Sequence, residues 1–138
     1  MLILPKDIYE VYREYSDDPS EGKRRPNLVI YVDDDDVYCL PITGTSPNKP
    51  PRHKDDYWKL EIEGWKDSQL TKKSWLLVNQ AKIINREDIE KTHYIGPLQD
   101  EDWERLLLKN EEYENYLIEL SKNRRVRSNK RNRKQQVD

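Results

Sequence analysis

A cationic cluster and a hydroxyl group stand at the ends of two short apolar runs. Lys23, Arg24 and Arg25 lead into the run at 28–32, and the following apolar run ends in Thr43. If the two runs pair as a hairpin, an arginine and a threonine can flank one phosphate group. A guanidinium offers two parallel donors to phosphoryl oxygens, and a hydroxyl can donate a third hydrogen bond. The spacing therefore points to chemistry on an RNA phosphate.

RNA cleavage without a metal ion uses the ribose 2′-OH as the nucleophile, and its transition state carries extra negative charge on the phosphoryl oxygens. Arg25 suits the stabilisation of that charge, and Thr43 suits a hydrogen bond to the phosphate or an orienting contact with the sugar. Preorganised contacts of this kind are each worth about 2.7–4 kcal/mol. The proton acceptor is not assigned by the sequence, and His53 and Glu21 are candidates for it.

Further residues could hold RNA around such a centre. Lys23 and Arg24 would attract phosphate groups through their charge. The polar loop at 44–56 is long enough to be a binding element, and it contributes Arg52, His53 and Lys54. Trp65, which follows Gly64 among polar residues, is the best candidate for stacking on a base. Trp58 and Trp75 are instead expected in the core.

Simpler interpretations stay open for several of these residues. Arg25 could be a surface residue that ends a turn, Thr43 could be a β-branched strand residue, and His53 could be a solvated loop histidine. The four acids at 33–36 are interpreted as a solvated hairpin turn, because they lack the staggered ligand spacing of a calcium loop. No metal and no cofactor are expected.

The charge of the chain is divided unevenly. Residues 122–138 hold eight Lys or Arg and one acid, a net charge of +7, whereas the other 17 bases and 26 acids give −9. An acidic body does not coat nucleic acid over its whole surface, so an anion site on it must be local.

The pattern along the chain predicts a mainly β fold with one terminal helix. We expect strands at 6–12, 28–32, 37–43, 57–62, 75–78, 81–84 and 94–96, a loop at 17–22, a helical turn at 86–91 and a helix at 100–121. These elements favour a small curled antiparallel sheet or barrel. Residues 1–121 would form this single domain, and 122–138 a disordered basic tail.

Several features concern the core and the setting of the protein. The predicted helix places six apolar residues near one face: Trp103, Leu106, Leu107, Tyr113, Leu117 and Leu120. Cys39, the single cysteine, is expected in the core. The absence of a disulfide pair, of a long apolar span and of a signal-like N-terminus leads us to expect a cytoplasmic protein without a membrane segment.

Five short segments, in this order, resemble the motifs of PemK/MazF-type toxins: IYEV (8–11), RPNLVI (25–30), LPIT (40–43), KSWLLVNQAKIIN (73–85) and IGPL (95–98). The resemblance covers residues 6–120. It implies an SH3-like antiparallel barrel of the MazF, Kid and CcdB type with a C-terminal α-helix, assembled as a homodimer. It also implies a metal-independent endoribonuclease that cleaves single-stranded RNA, typically mRNA, and an antitoxin partner with a flexible acidic segment.

The resemblance assigns roles to particular residues. Arg25, from the RP motif, and Thr43, from the IT motif, would be catalytic, and Gln80 and Lys82 would bind RNA. Asn79 departs from the pattern, because many members of the family carry an acid at this position.

Two other functions remain open at this point. The barrel could be a non-catalytic module that binds a protein target, as the structurally related gyrase poisons do, or that binds RNA without cutting it. The barrel could also be an adaptor whose basic tail does the binding.

Overall fold

The structure, a computed structural model, describes the backbone of residues 2–15 and 18–136 and the side chains of residues 2–11 and 24–125. The elements are β1 (Asp7–Tyr15), β2 (Asp18–Asp33), β3 (Asp36–Thr43), α1 (Lys54–Trp58), β4 (Lys59–Glu61), β5 (Trp75–Leu77), β6 (Lys82–Asn85), α2 (Arg86–Glu90), β7 (His93–Pro97) and α3 (Asp100–Gln136). The predicted mainly β class with a C-terminal helix is confirmed.

All strand pairs are antiparallel. The seven strands follow the order β4-β5-β3-β2-β1-β7, and β6 pairs with β3 beside β5. The chain turns between β2 and β3 at Asp34, whose positive φ of 48° is tolerated by aspartate. The predicted hairpin is therefore present, with its acidic tip at 33–36 as expected.

The central strands β1, β2 and β3 are buried on both faces. Leu28 and Leu40 point into a main core, while Val29 and Cys39, their neighbours along the strands, point into a second core beneath α2. All four side chains are at most 1% exposed. Burial on both faces explains why β2 reads as a continuous apolar run rather than an alternating one, and the core position of Cys39 is confirmed.

The first half of α3 covers the main core. Leu106 is buried there, Trp103 and Tyr113 pack against it, and the ring of Tyr113 meets that of Trp58 at a centroid distance of 4.8 Å. Two residues of the predicted apolar face lie outside the core, because Leu107 and Leu117 are 52% and 44% exposed. Tyr116 still meets the Trp58 ring, at a centroid distance of 5.4 Å, but most side chains from residue 114 to 125 are exposed.

One buried carboxylate ties α3 to the sheet. Asp102 is 2% exposed and accepts hydrogen bonds from the backbone N–H groups of Glu63 at 3.0 Å and Gly64 at 2.9 Å. The guanidinium of Arg105, one turn along the helix, donates to the same carboxylate and to the carbonyl of Glu61 at 2.6 Å. These bonds fix the angle at which α3 crosses the segment after β4.

Two predicted boundaries were wrong. β2 begins at Asp18 and pairs with β1 as far as the Tyr15–Asp18 pair, so most of the loop predicted at 17–22 is strand; Asp17 lies outside the described residues. The first two residues of the strand predicted at 57–62 belong instead to the helix α1. A capping box accounts for this helix, since the His53 side chain and the Asp56 carboxylate bond each other's backbone N–H groups across its first turn.

The structure also differs from the prediction at the C-terminal end. A disordered tail was expected from residue 122, whereas α3 continues to Gln136. Lys, Arg and Gln have good helix propensity and no Gly or Pro interrupts this stretch, so the local sequence is compatible with a helix. The division of the chain into a domain at 1–121 and a tail remains a prediction. None of the helices within the described ranges is long and apolar enough to cross a membrane.

Candidate active site

A cavity of about 530 Å³ lies where β1, β2, β3 and β7 approach the segment before β5. We call it the Thr43 cavity. Its charged and polar lining includes Glu10, Arg24, Thr43, Lys72, Ser74 and His93. An open cavity of this size that carries two cations, several hydroxyl groups, a carboxylate and an imidazole can hold a phosphate group and exchange protons with it.

A second cavity, of about 730 Å³, adjoins the first on the side of β6 and α2. We call it the Lys82 cavity, and it also contains Asp88 and Lys91. Glu10, Arg24 and His93 line both cavities and therefore stand at the boundary between them. Within the described part of the chain, no three His, Cys, Asp or Glu side chains are grouped so that they could share a metal ion.

The strand register explains why these boundary residues meet. Glu10, in the middle strand β1, is the partner of Pro26 in β2 and of His93 in β7. Arg24 lies two residues before Pro26 on the same face of β2, so it is a diagonal neighbour of Glu10. The site is thus built on three paired strands and not on a mobile loop.

Thr43 ends β3 and pairs with Trp75 of β5. Its hydroxyl oxygen accepts a hydrogen bond from the backbone N–H of Thr45 at 3.2 Å, which orients the side chain and leaves its one hydrogen able to donate to an anion. The next residue, Gly44, lets the Lys72 ammonium pass close by, because a Cβ there would lie 2.6 Å from its nitrogen. The Lys72 ammonium therefore lies beside the residue that follows Thr43.

Arg25 lies at the same end of the β2–β3 ladder as Thr43. The last pair of that ladder is Asn27 with Pro41, and Arg25 and Thr43 each stand two residues beyond it, on the same face by strand alternation. Arg25 is half-buried, and its carbonyl accepts a hydrogen bond from the amide of buried Asn27 at 3.0 Å. The arginine that lines the Thr43 cavity, however, is Arg24.

The other predicted RNA-binding residues are dispersed. Lys82 lines the Lys82 cavity, whereas the side chain of Lys23 lies outside the described residues. Arg52, His53 and Lys54 are exposed around the start of α1. Trp65 packs against the main core beneath the Lys66 ammonium, 5.3 Å from its ring centroid, so a large part of the indole already has a protein partner.

The side-chain amides of Gln80 and Asn79 are hydrogen-bonded to a carboxylate of α1. Asp55 accepts from the Asn79 amide at 2.7 Å and from the Gln80 amide at 3.0 Å. Burial alone would raise the pKa of Asp55, but these two donors, with His53 and Lys54 nearby, hold it below its ordinary value. An acid at position 79 would repel the Asp55 carboxylate. The amide of Asn79 avoids this repulsion, which gives a local reason for the absence of the expected acid. A carboxylate held in this way is a weak proton acceptor.

The loop before α1 is fastened by the neighbouring carboxylate. Asp56 accepts from the backbone N–H groups of Arg52 at 3.0 Å and His53 at 3.2 Å, and from the amide of Asn48 at 3.2 Å. These bonds, the one from Arg52 first, lower the pKa of Asp56 far below that of a free aspartate. The Asp56 side chain therefore holds together the end of the loop that was predicted to bind RNA.

Asp56 should make the fold sensitive to acid. Because its folded pKa is lowered, the stabilisation is complete above the unfolded value of 3.8 and is lost as the pH falls below it. Unfolding of the natural chain below pH 3.8 should therefore take up about one proton more than unfolding of Asp56→Asn. Urea unfolding at a series of pH values measures this difference. The exposed control Asp67→Asn should keep the natural slope, and an equal slope in Asp56→Asn would refute the prediction.

Three residues of the site were missed by the sequence analysis: Glu10, His93 and Lys72. Glu10 and His93 are 83 positions apart and meet only through the register of β1 with β7, which is shifted by one residue between Ile8 and Tyr9. No local motif marks His93 or Lys72, so only the paired sheet could have identified them.

Comparisons with known proteins agree with this architecture. Residues 5–109 match the family model described as PemK-like, MazF-like toxin of type II toxin-antitoxin system. Among solved structures, the chain is similar to one in the crystal structure of MazE-MazF (Form-III) from Deinococcus radiodurans, with a TM-score of 0.61 and 9% sequence identity, over 83% of this chain and 98% of that one. No curated protein sequence gives a significant match. The structural likeness supports the fold, and the family match covers most of the chain.

Proposed function

Because the chain belongs to the PemK-like, MazF-like toxin family of type II toxin–antitoxin systems, we propose that it is a metal-independent endoribonuclease that cleaves single-stranded RNA, with mRNA as its target. The observation that carries this proposal is the Thr43 cavity, where a hydroxyl lies among Arg24, Lys72 and His93. A cavity lined in this way offers a phosphodiester several donors and a place for proton transfer. Such a site favours cleavage over RNA binding alone.

In the proposed reaction, the ribose 2′-OH attacks the adjacent phosphorus and expels the 5′-oxygen of the next nucleotide. Thr43 donates a hydrogen bond to a non-bridging oxygen, and Arg25 stabilises the negative charge that grows there. Arg24 and Lys72 attract the backbone and hold it in the cavity. The products are a 2′,3′-cyclic phosphate and a free 5′-hydroxyl group.

An antitoxin is the proposed protein partner. The similar structure from Deinococcus radiodurans is of a MazE-MazF complex, which supports a partner of this kind. The cations around the two cavities, Arg24, Lys72, Lys82 and Lys91, suit a flexible acidic segment that would occupy the RNA site. Blocking by such a segment would require no change in the fold.

We further propose that the chain assembles as a homodimer through α3. Between Leu107 and Ile118 this helix exposes five large apolar side chains: Leu107, Leu108, Tyr116, Leu117 and Ile118. Leu108, the most exposed, has 69% of its surface open to solvent. Large exposed apolar side chains can mark contact with another protein, and a second copy of α3 would cover those that lie on one side of the helix.

Cleavage of RNA in EDTA tests the function directly. The purified chain should cut a long single-stranded RNA in the presence of the chelator and leave 5′-hydroxyl ends, which a polynucleotide kinase can label without prior phosphatase treatment. A metal requirement or 5′-phosphate ends would contradict the mechanism. Intact RNA that still binds the protein would indicate a non-catalytic module. The same RNA annealed to its complement is the control and should resist cleavage.

A further inference from the structure

We propose that Glu10 and His93 form the proton-transfer pair of this site, with Glu10 as the proton acceptor and His93 as the proton donor. The inference rests on the proposed ribonuclease function and assigns the step that the family motifs leave open. It arises from the paired positions of the two residues in β1 and β7. It also arises from their shared place at the boundary of the two cavities.

The register puts the two side chains on one face of the sheet. Directly opposite residues in an antiparallel pair have Cβ atoms about 4.5–5.5 Å apart, so the Glu10 carboxylate and the His93 imidazole can approach the same small group. The alternate residues, Tyr9 and Tyr94, pack together with a centroid distance of 5.4 Å, and Tyr9 is buried in the second core. The side chains of Glu10 and His93 therefore project from the opposite face of the sheet, toward the Thr43 cavity.

Two other candidates for proton transfer, Asp55 and His53, make contacts elsewhere, and the side chain of Glu21 lies outside the described residues. Asp55 is held by two amide donors that lower its pKa. The Nδ1 atom of His53 accepts from the backbone N–H of Asp55 at 3.2 Å, at the start of α1. Neither residue lines the Thr43 or the Lys82 cavity. Among the residues with described side chains, Glu10 and His93 supply the carboxylate and the imidazole that border both cavities.

The proposed step balances in protons and bonds. Glu10 takes the proton of the 2′-OH as the bond between that oxygen and phosphorus forms. The bond from phosphorus to the 5′-oxygen breaks, and the protonated imidazole of His93 gives its proton to the leaving oxygen. Glu10 ends protonated and His93 neutral, and a proton passed from Glu10 to His93 restores the pair. Arg24, Lys72 and Thr43 face the phosphate during this exchange and do not need to transfer protons.

A substrate with a leaving group that needs no proton separates the two roles. In a 5′-bridging phosphorothiolate the 5′-oxygen is replaced by sulfur, which departs as a thiolate without help from an acid. With the ordinary oxygen substrate, His93→Gln and Glu10→Gln should each lower the cleavage rate about 10²–10⁴-fold. With the sulfur substrate, His93→Gln should recover to within about tenfold of the natural chain, whereas Glu10→Gln should not.

The ratio of rates on the two substrates comes from one protein sample, so it does not depend on how much of a variant is folded. The exposed control Glu90→Gln, on α2, should cleave both substrates like the natural chain. A sulfur substrate that leaves His93→Gln as impaired as the oxygen substrate would overturn the donor assignment. A Glu10→Gln variant with a natural rate would overturn the acceptor assignment.

Failure of this proposal is distinct from failure of the ribonuclease proposal. If the natural chain cleaves RNA and both variants cleave it equally well, only the pair Glu10–His93 is rejected. If the natural chain cleaves neither substrate, the proposed function itself is rejected. Binding of a 2′-O-methyl RNA, which has no nucleophile, should be nearly equal in all variants, because the pair acts on protons rather than on affinity.

Discussion

Replacing Asp102 with alanine is expected to lower the free energy of unfolding by about 3 kcal/mol. The side chain is 2% exposed, and its removal leaves the backbone N–H groups of Glu63 and Gly64 without their acceptor. It also removes the carboxylate that accepts from Arg105. The Arg105 guanidinium keeps the Glu61 carbonyl and, at 3.7 Å, the Glu63 carboxylate as partners. Because Arg105 is one-third exposed, its loss of a partner costs less than full burial would.

Urea unfolding followed by circular dichroism measures this cost. Asp100 provides a matched control in the same helical turn, since its carboxylate bonds Lys6 at 2.9 Å but is 86% exposed. Asp100→Ala should lower stability by less than about 1 kcal/mol. Equal effects at the two positions would show that the hydrogen bonds of Asp102 do not anchor α3. Asp102→Asn, which keeps one acceptor oxygen, should fall between them.

The second large effect concerns the two adjacent arginines and the hydroxyl. Thr43→Val, which removes the hydroxyl at nearly constant shape, and Arg25→Ala are each expected to lower kcat for RNA cleavage about 10²–10³-fold. Both groups are proposed to act on charge that appears in the transition state. Arg24→Ala should instead raise KM and change kcat less, because Arg24 lines both cavities and is proposed to attract the phosphate.

Steady-state cleavage of a fluorogenic RNA at low salt separates the two constants. The reverse result, in which Arg24→Ala loses kcat and Arg25→Ala retains it, would transfer the catalytic role to the arginine that lines the Thr43 cavity. A Thr43→Val variant with natural kcat would remove the hydroxyl from the mechanism. Arg86→Ala is a suitable control, because this guanidinium is bound to the Asp34 carbonyl at 2.9 Å, at the hairpin tip.

The sequence predicted the strands best where both their faces are buried. Leu28, Val29 and Cys39 are apolar because each faces one of two cores, and burial of that kind leaves a strong compositional signal. The helix α1 was missed because five residues are too few for a helical period. It forms through hydrogen bonds between His53, Asp55 and Asp56, and a hydropathy pattern does not record these bonds.

The candidate site was predicted only in part, for a different reason. Arg24 and Thr43 stand near the ends of two apolar runs in the sequence, so local sequence was enough to select them. Glu10 and His93 depend on the pairing of the first strand with the last, and a shift of one residue in that register would move His93 to the other face. Asn79 departs from the family pattern in the sequence, and in the structure its amide donates a hydrogen bond to Asp55.

The extension of α3 has an electrical consequence. Residues 122–138 carry a net charge of +7 and the rest of the chain −9, and the helix continues to Gln136 after leaving the sheet. Fifteen helical residues span about 22 Å, so the centres of positive and negative charge are well separated. Such a molecule has a large dipole moment. The electric field of a polyanion such as RNA therefore turns the basic C-terminal end of the protein toward the polyanion before the two molecules touch. Added salt weakens this alignment, since the Debye length falls to about 8 Å at physiological ionic strength.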